Sequence, residues 1–330
     1  MFIVIRMIRP LYFTLPEFTF ESGETLKNLK VEYTCIGEPK VDPDGFIING
    51  LLHIHGWGGD YLSVKRLLPL IGEGKPLEGF FIIAPTSLGS PRSSSPSTSG
   101  LGVEFPQYTI RDMVNFHYEF IRRKFKIQKL KGVIGASMGG FQALEWGVSY
   151  PDFMDFLILL VTTFKVRGIN YAIFEYMNRL IKADPAYNDG KYRENPSLGT
   201  CLASMFMYFY GFSREYYNSL DNMELLDSMI KAGEEGMELD ANDIIWRNNA
   251  AMKFNLEDKL DDIRADTLVV GIKQDQYFPP SIDTIPLSKM IKNSKTIIYD
   301  SICGHFGVNE LEKIQGELKK FIEPHLPVDG

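Results

Sequence analysis

Residues 132–140 read Gly132-Val133-Ile134-Gly135-Ala136-Ser137-Met138-Gly139-Gly140. An apolar run enters a tight turn with a glycine two places either side of a serine. Phe141, Ala143, Leu144, Trp146 and Val148 then follow as a helical pattern. Glycines at those positions let a strand reverse into a helix so sharply that the serine stands at the apex with its oxygen exposed. The backbone N–H of the next residue then faces whatever that oxygen attacks. A Gly-x-Ser-x-Gly alone also fits an ordinary strand-to-helix turn. The strand before it and the amphipathic helix after it favour a nucleophile.

Working outward, residues 10 to 50 read as short antiparallel strands, with alternation clearest at Lys30–Cys35. Residues 49–55 form the first buried strand and run into Gly56-Trp57-Gly58-Gly59. A second strand covers 79–85, and the Ser- and Pro-rich stretch 86–100 reads as loop. A helix is expected over 109–124, a strand over 156–161, and strands again at 266–272 and 295–300 before a terminal helix near 309–323. Between them, 169–184, 198–211, 214–233 and 241–253 read as consecutive helices. Strands alternating with helices imply a mostly parallel sheet covered on both faces. With the serine turn, this resembles the α/β-hydrolase fold. The core is expected to comprise 1–163 and 259–330, with 164–258 inserted as a helical lid over the carboxyl ends of the strands.

Composition narrows the function. The chain has 330 residues, 45% of them apolar, which suffices for one large core. A net charge of −7 and a pI near 5.4 speak against nucleic acid. The basic run from Arg122 to Lys131 reads as a solvated helix end. Three cysteines (Cys35, Cys201, Cys303) without metal-type spacing suit a reducing cytoplasm. No stretch is long and apolar enough for a membrane span, and the arginine- and proline-broken start does not read as a signal peptide.

A serine hydroxyl needs a base, and the base needs a carboxylate to fix its tautomer. Of five histidines, His53 and His55 lie on a strand before the nucleophile, His117 within a helix and His325 in the tail. His305 follows the last strand, where this fold carries its base. Asp275 lies one short loop past the strand at 266–272, and the order Ser137, Asp275, His305 suits the fold. Asp283 lies too deep in its loop, and Asp300 too close to His305 in sequence. For the oxyanion, Met138 N–H supplies one donor and Trp57 N–H the second. The pair His53 and His55 has no third partner for a metal, and no resident cofactor is expected.

Longer motifs carry a resemblance. His55-Gly56-Trp57-Gly58-Gly59, Gly72–Leu77, Thr109–Val114, Gly135–Trp146 with Tyr150-Pro151, Asp184-Pro185, Asn188–Gly190, Asp240-Ala241-Asn242, Phe278-Pro279 and Gly304-His305 resemble homoserine O-acetyltransferases. The resemblance implies a double displacement through an acylated Ser137, acetyl-CoA as co-substrate, and a homodimer formed through lid helices. It also exposes departures. The family's carboxylate-clamping arginine falls at Ser204, and the aspartate after its catalytic histidine is replaced by Phe306. Losing a charge-assisted clamp forfeits roughly 2–5 kcal/mol of binding, unless Arg179, Arg193 or Arg247 takes it over. Ser204 and Phe306 are therefore candidate substrate-pocket positions, and the run Met205–Tyr210 is a candidate acyl-pocket wall.

The leading expectation is a serine hydrolase acting on a small, fairly apolar acyl ester. The alternative is an acetyl-CoA-dependent O-acetyltransferase. A non-catalytic binding protein on the same scaffold is the third reading.

Overall fold

The computed structural model describes residues 8–326, so the reading of the N-terminal start lies outside them as far as residue 7. The apolar runs form β1 (Leu11–Thr19), β2 (Thr25–Ile36), β3 (Gly50–Ile54), β4 (Phe81–Pro85), β5 (Leu130–Ala136), β6 (Met154–Leu160), β7 (Asp266–Ile272) and β8 (Ser294–Tyr299). They join one sheet in the order β1-β2-β4-β3-β5-β6-β7-β8. The β1–β2 and β2–β4 pairs are antiparallel, and all others are parallel. Strands β3 and β4 are buried along their whole length, as expected of parallel strands covered on both faces.

The helices are α1 (Ile110–Lys124), α2 (Met138–Ser149), α3 (Gly168–Ala183), α4 (Ser197–Gly211), α5 (Arg214–Ser219), α6 (Asn222–Met237), α7 (Ala241–Met252), α8 (Thr284–Met290) and α9 (Gln315–Ile322). Thr109 and Asp112 close a reciprocal capping box at the start of α1, which fixes that helix where its sequence predicts. Helices α3 to α7 fall between β6 and β7. One core cluster packs α1, α2, α3 and α7, with Ala203 of α4, on one sheet face. The other packs the 61–70 turn and α9 on the opposite face.

Three expectations need correction. The single helix over 214–233 is two, because Ser213 caps α5 while Asp221 and Glu224 form a new capping box that opens α6. The terminal helix begins only at Gln315, after two short 3₁₀ turns. The first two strands span 9 and 12 residues rather than being short.

The segment 86–100 is irregular, as expected, yet Ser87, Ser90, Ser93 and Ser95 are buried. Their hydroxyls take over the work of a sheet edge. Ser93 Oγ accepts from Glu32 N–H and donates to Thr86 O, and Ser94 Oγ accepts from Lys30 N–H. Asp243 on α7 holds the far end, accepting from Ser95 Oγ and from both the N–H and Oγ of Ser97. Burial pushes the Asp243 carboxyl up to about 6, against the lowering effect of Ser97. The folded protein thus holds this proton more tightly than the unfolded chain, so stability is lost as pH rises from about 4 to about 6. Relative to Asp243→Asn, wild type is expected to lose about 1 kcal/mol between pH 5 and pH 7. Urea unfolding at both pH values reads this directly, and a pH-independent difference would contradict it.

Candidate active site

Ser137 occupies the predicted apex, between the end of β5 and the start of α2. Its backbone is held at φ 57°, ψ −121°, a region that non-glycine residues rarely enter. The surrounding glycines explain how. A Cβ on Gly135 would lie 2.0 Å from Gly139 O, and one on Gly139 would lie 2.3 Å from Ile54 O. Side chains at either position would push the helix off the sheet. Ser137 sits where a helix-capping residue would, but its side chain makes no capping bond, so its hydroxyl is left for chemistry. The main chain pins the turn instead, through Ser137 N–H to Leu160 O and Thr162 Oγ1 to Ser137 O.

Strands β7 and β8 deliver the next two groups. The Asp275 carboxylate is buried and divides its oxygens. Oδ1 accepts from Tyr277 N–H (2.8 Å) and Phe278 N–H (3.1 Å), and Oδ2 lies 2.8 Å from His305 Nδ1. An ionised Asp275 therefore makes Nδ1 the protonated nitrogen and leaves Nε2 as the acceptor. The His305 ring is buried against Tyr277 and Phe278. The rivals stand elsewhere. Asp300 is exposed beside Lys273 and Gln274. Asp283 precedes α8, where burial pushes its carboxyl up to about 6.

Ser137 and His305 face one small cavity, which is also lined by Trp57, Met138, Phe141, Asn170, Ile173, Phe174, Met207, Tyr277 and Phe278. Met138 is the first residue of α2, where the N–H has no partner within the helix. Trp57 lies just beyond β3, in a loop that presses on the elbow: a Cβ on Gly56 would stand 3.3 Å from Ala136 O. His55 braces this loop, its Nε2 accepting from Ser87 N–H and its Nδ1 donating to Gly56 O. Burial pulls its pKa down to about 4, so the ring stays neutral. Both oxyanion-donor candidates thus border the cavity.

The two proposed substrate positions do not. Ser204 packs against Gly236 between α4 and α6, and Phe306 is 43% exposed with its ring tilted against Phe212. The apolar wall comes from other residues. Of the run Met205–Tyr210, Met207 lines the cavity. Asn170, missed in the sequence, is the one amide there, and its Nδ2 donates to Tyr277 O. Among the described residues, no arginine lines the cavity. Arg179 pairs with Glu175 on the exposed side of α3, Arg193 is exposed, and Arg247 is bonded to main-chain carbonyls.

The profile of the alpha/beta hydrolase fold matches residues 50–308. The chain belongs to the α/β-hydrolase family. Within that family it is 52% identical over 311 residues to a probable acyltransferase of Methanothermobacter thermautotrophicus, covering 94% of this chain and 97% of that protein. It is 32% identical over 213 residues to a homoserine O-acetyltransferase of Carboxydothermus hydrogenoformans, covering 58% and 55% respectively. An acetylester hydrolase from Corynebacterium glutamicum superposes with a TM-score of 0.84 at 23% identity, over 96% of each chain, a likeness of fold. The relatives favour the acyltransferase alternative over the hydrolase that led the expectations.

Proposed function

We propose that the protein is a serine-dependent acyltransferase that moves a small acyl group from a thioester such as acetyl-CoA to a neutral, hydroxyl-bearing acceptor. The observation that carries this reading is a cavity with Ser137 and His305 on its wall, otherwise apolar and aromatic apart from Asn170, with no arginine or lysine of the described residues lining it. In the first half-reaction His305 Nε2 takes the Ser137 proton as Oγ attacks the thioester carbonyl. The N–H groups of Met138 and Trp57 bind the resulting oxyanion. Collapse expels the thiolate, which receives the proton from His305 and leaves the acyl group on Ser137. In the second half the acceptor hydroxyl gives its proton to His305 and attacks the ester, and Ser137 leaves as the free hydroxyl.

The relative named a probable acyltransferase supports an acceptor other than water. The lack of a cation among the described residues lining the cavity argues against homoserine, whose carboxylate would be desolvated there without a partner. The Asn170 carboxamide, turned by its bond to Tyr277 O so that Oδ1 is free to accept, suits a hydroxyl. As a homodimer, the protein would join through α4 and α6, which expose Leu198, Leu202, Met223, Leu226 and Ile230. The three unpaired cysteines suit a cytoplasmic setting.

The test is thiol release from acetyl-CoA across a panel of small alcohols, with L-homoserine and water alone as controls. Release that rises at least tenfold with a neutral alcohol and not with homoserine is expected. Release at one rate whatever the acceptor would make the protein a hydrolase, and a steep homoserine response would overturn the neutral-acceptor reading.

A further inference from the structure

Arg247, on α7, is 3% exposed. Its Nη1 donates to Trp57 O at 2.6 Å and its Nη2 to Gly89 O at 3.4 Å, while its guanidinium lies 4.9 Å from the centre of the Trp57 ring. The next residue, Asn248, accepts the Trp57 indole N–H at 2.7 Å through Oδ1, and its own amide donates to Asn178 on α3. One turn of α7 therefore holds Trp57 by its carbonyl, its ring face and its indole N–H together.

This arrangement is a costly way to build a helix–loop contact. A buried guanidinium is desolvated, and here its hydrogen bonds to the loops run to neutral carbonyls, with Tyr108 beside it and the Asp243 carboxyl one turn away. Its Nε has no acceptor among the described residues. A well-packed apolar side chain would serve stability at least as well. What the arginine adds is orientation. The Trp57 carbonyl and the following peptide cannot swing without breaking a short charge-assisted bond, and a fixed Trp57 sets the direction of its own N–H. A positive charge behind the loop also favours negative charge developing in the cavity.

We infer that Arg247 is a positioning residue that fixes Trp57 as an oxyanion donor. The inference rests on the proposed acyl-enzyme chemistry, so its test is built to separate the two. Acylation is followed in a stopped-flow burst with p-nitrophenyl acetate for wild type, Arg247→Met and Arg247→Lys. The Trp57 indole N–H is followed in a ¹H–¹⁵N spectrum, assigned by its loss in Trp57→Phe. The acylation rate constant should fall about 30-fold or more in Arg247→Met, with the ester concentration that half-saturates the burst rate within threefold of wild type and a burst near one per active site. Arg247→Lys, which can reach one of the two carbonyls, should recover part of the rate, and the indole resonance should move in both variants.

A reduced burst with an unchanged rate constant would mean loss of folded enzyme and would overturn the inference. So would a rate within threefold of wild type. Where Arg247→Met does not fold, Arg247→Lys decides by the same criteria. A wild-type enzyme without any burst would sink the acyl-enzyme reading instead. The indole spectrum then decides for Arg247: a displaced resonance upholds the positioning of Trp57, and an unmoved one overturns it.

Discussion

Ser137→Ala is expected to lower acyl transfer by about 10⁴-fold or more in kcat, with the fold and melting temperature preserved. The size follows from the covalent step, since without Oγ no ester forms and the acceptor must attack the donor directly. What survives is the rate due to binding and the two N–H donors, which still stabilise an oxyanion. Stability should be unaffected, because the turn is held by main-chain bonds and by Thr162, and the serine side chain caps nothing. The strained φ of 57° remains in the variant. The check is steady-state turnover together with labelling by a fluorophosphonate: wild type should label and the variant should not. A variant that keeps more than a tenth of the rate would end the acyl-enzyme mechanism.

Asp275→Asn should be nearly as damaging, at about 10⁴-fold in kcat, for a different reason. Two backbone N–H groups, from Tyr277 and Phe278, already hold Oδ1. In the variant they keep the amide oxygen on their side, so the NH₂ faces His305 Nδ1. That nitrogen must then accept, the proton moves to Nε2, and the ring presents a donor where a base is needed. Geometry is kept and function is lost, which separates this variant from a folding defect. Near-native circular dichroism and melting with lost turnover is the expected pair. Turnover above a hundredth of wild type would show that the carboxylate does not set the tautomer.

Much of this was readable in the chain because it is local. The glycines at 135 and 139 constrain their own turn, and Asp275 and His305 follow the strands whose apolar runs announce them. The α5–α6 break was also written locally, in Asp221-Asn222-Met223-Glu224, a capping pattern inside what otherwise reads as continuous helix. The pocket was not readable in the same way. The resemblance pointed to Ser204 and Phe306, but the direction of a side chain on a lid helix or in the turn after β8 is set by tertiary packing. Here α6 lies against Ser204. Asn170 and Phe174, one turn apart on α3, meet Met207 of α4 and Phe278 beyond β7 at the cavity, and no spacing along the sequence brings these three segments together. Arg247 meets Trp57 across 190 positions.

Asp243 and Arg247 lie one helical turn apart on α7, the first fastening the serine-rich segment and the second the loop beside the nucleophile. An outward swing of α7 would strip a buried carboxylate and a buried guanidinium of their partners at once. Helix α7 is therefore a keystone rather than a door, and any opening of the site has to come from other elements.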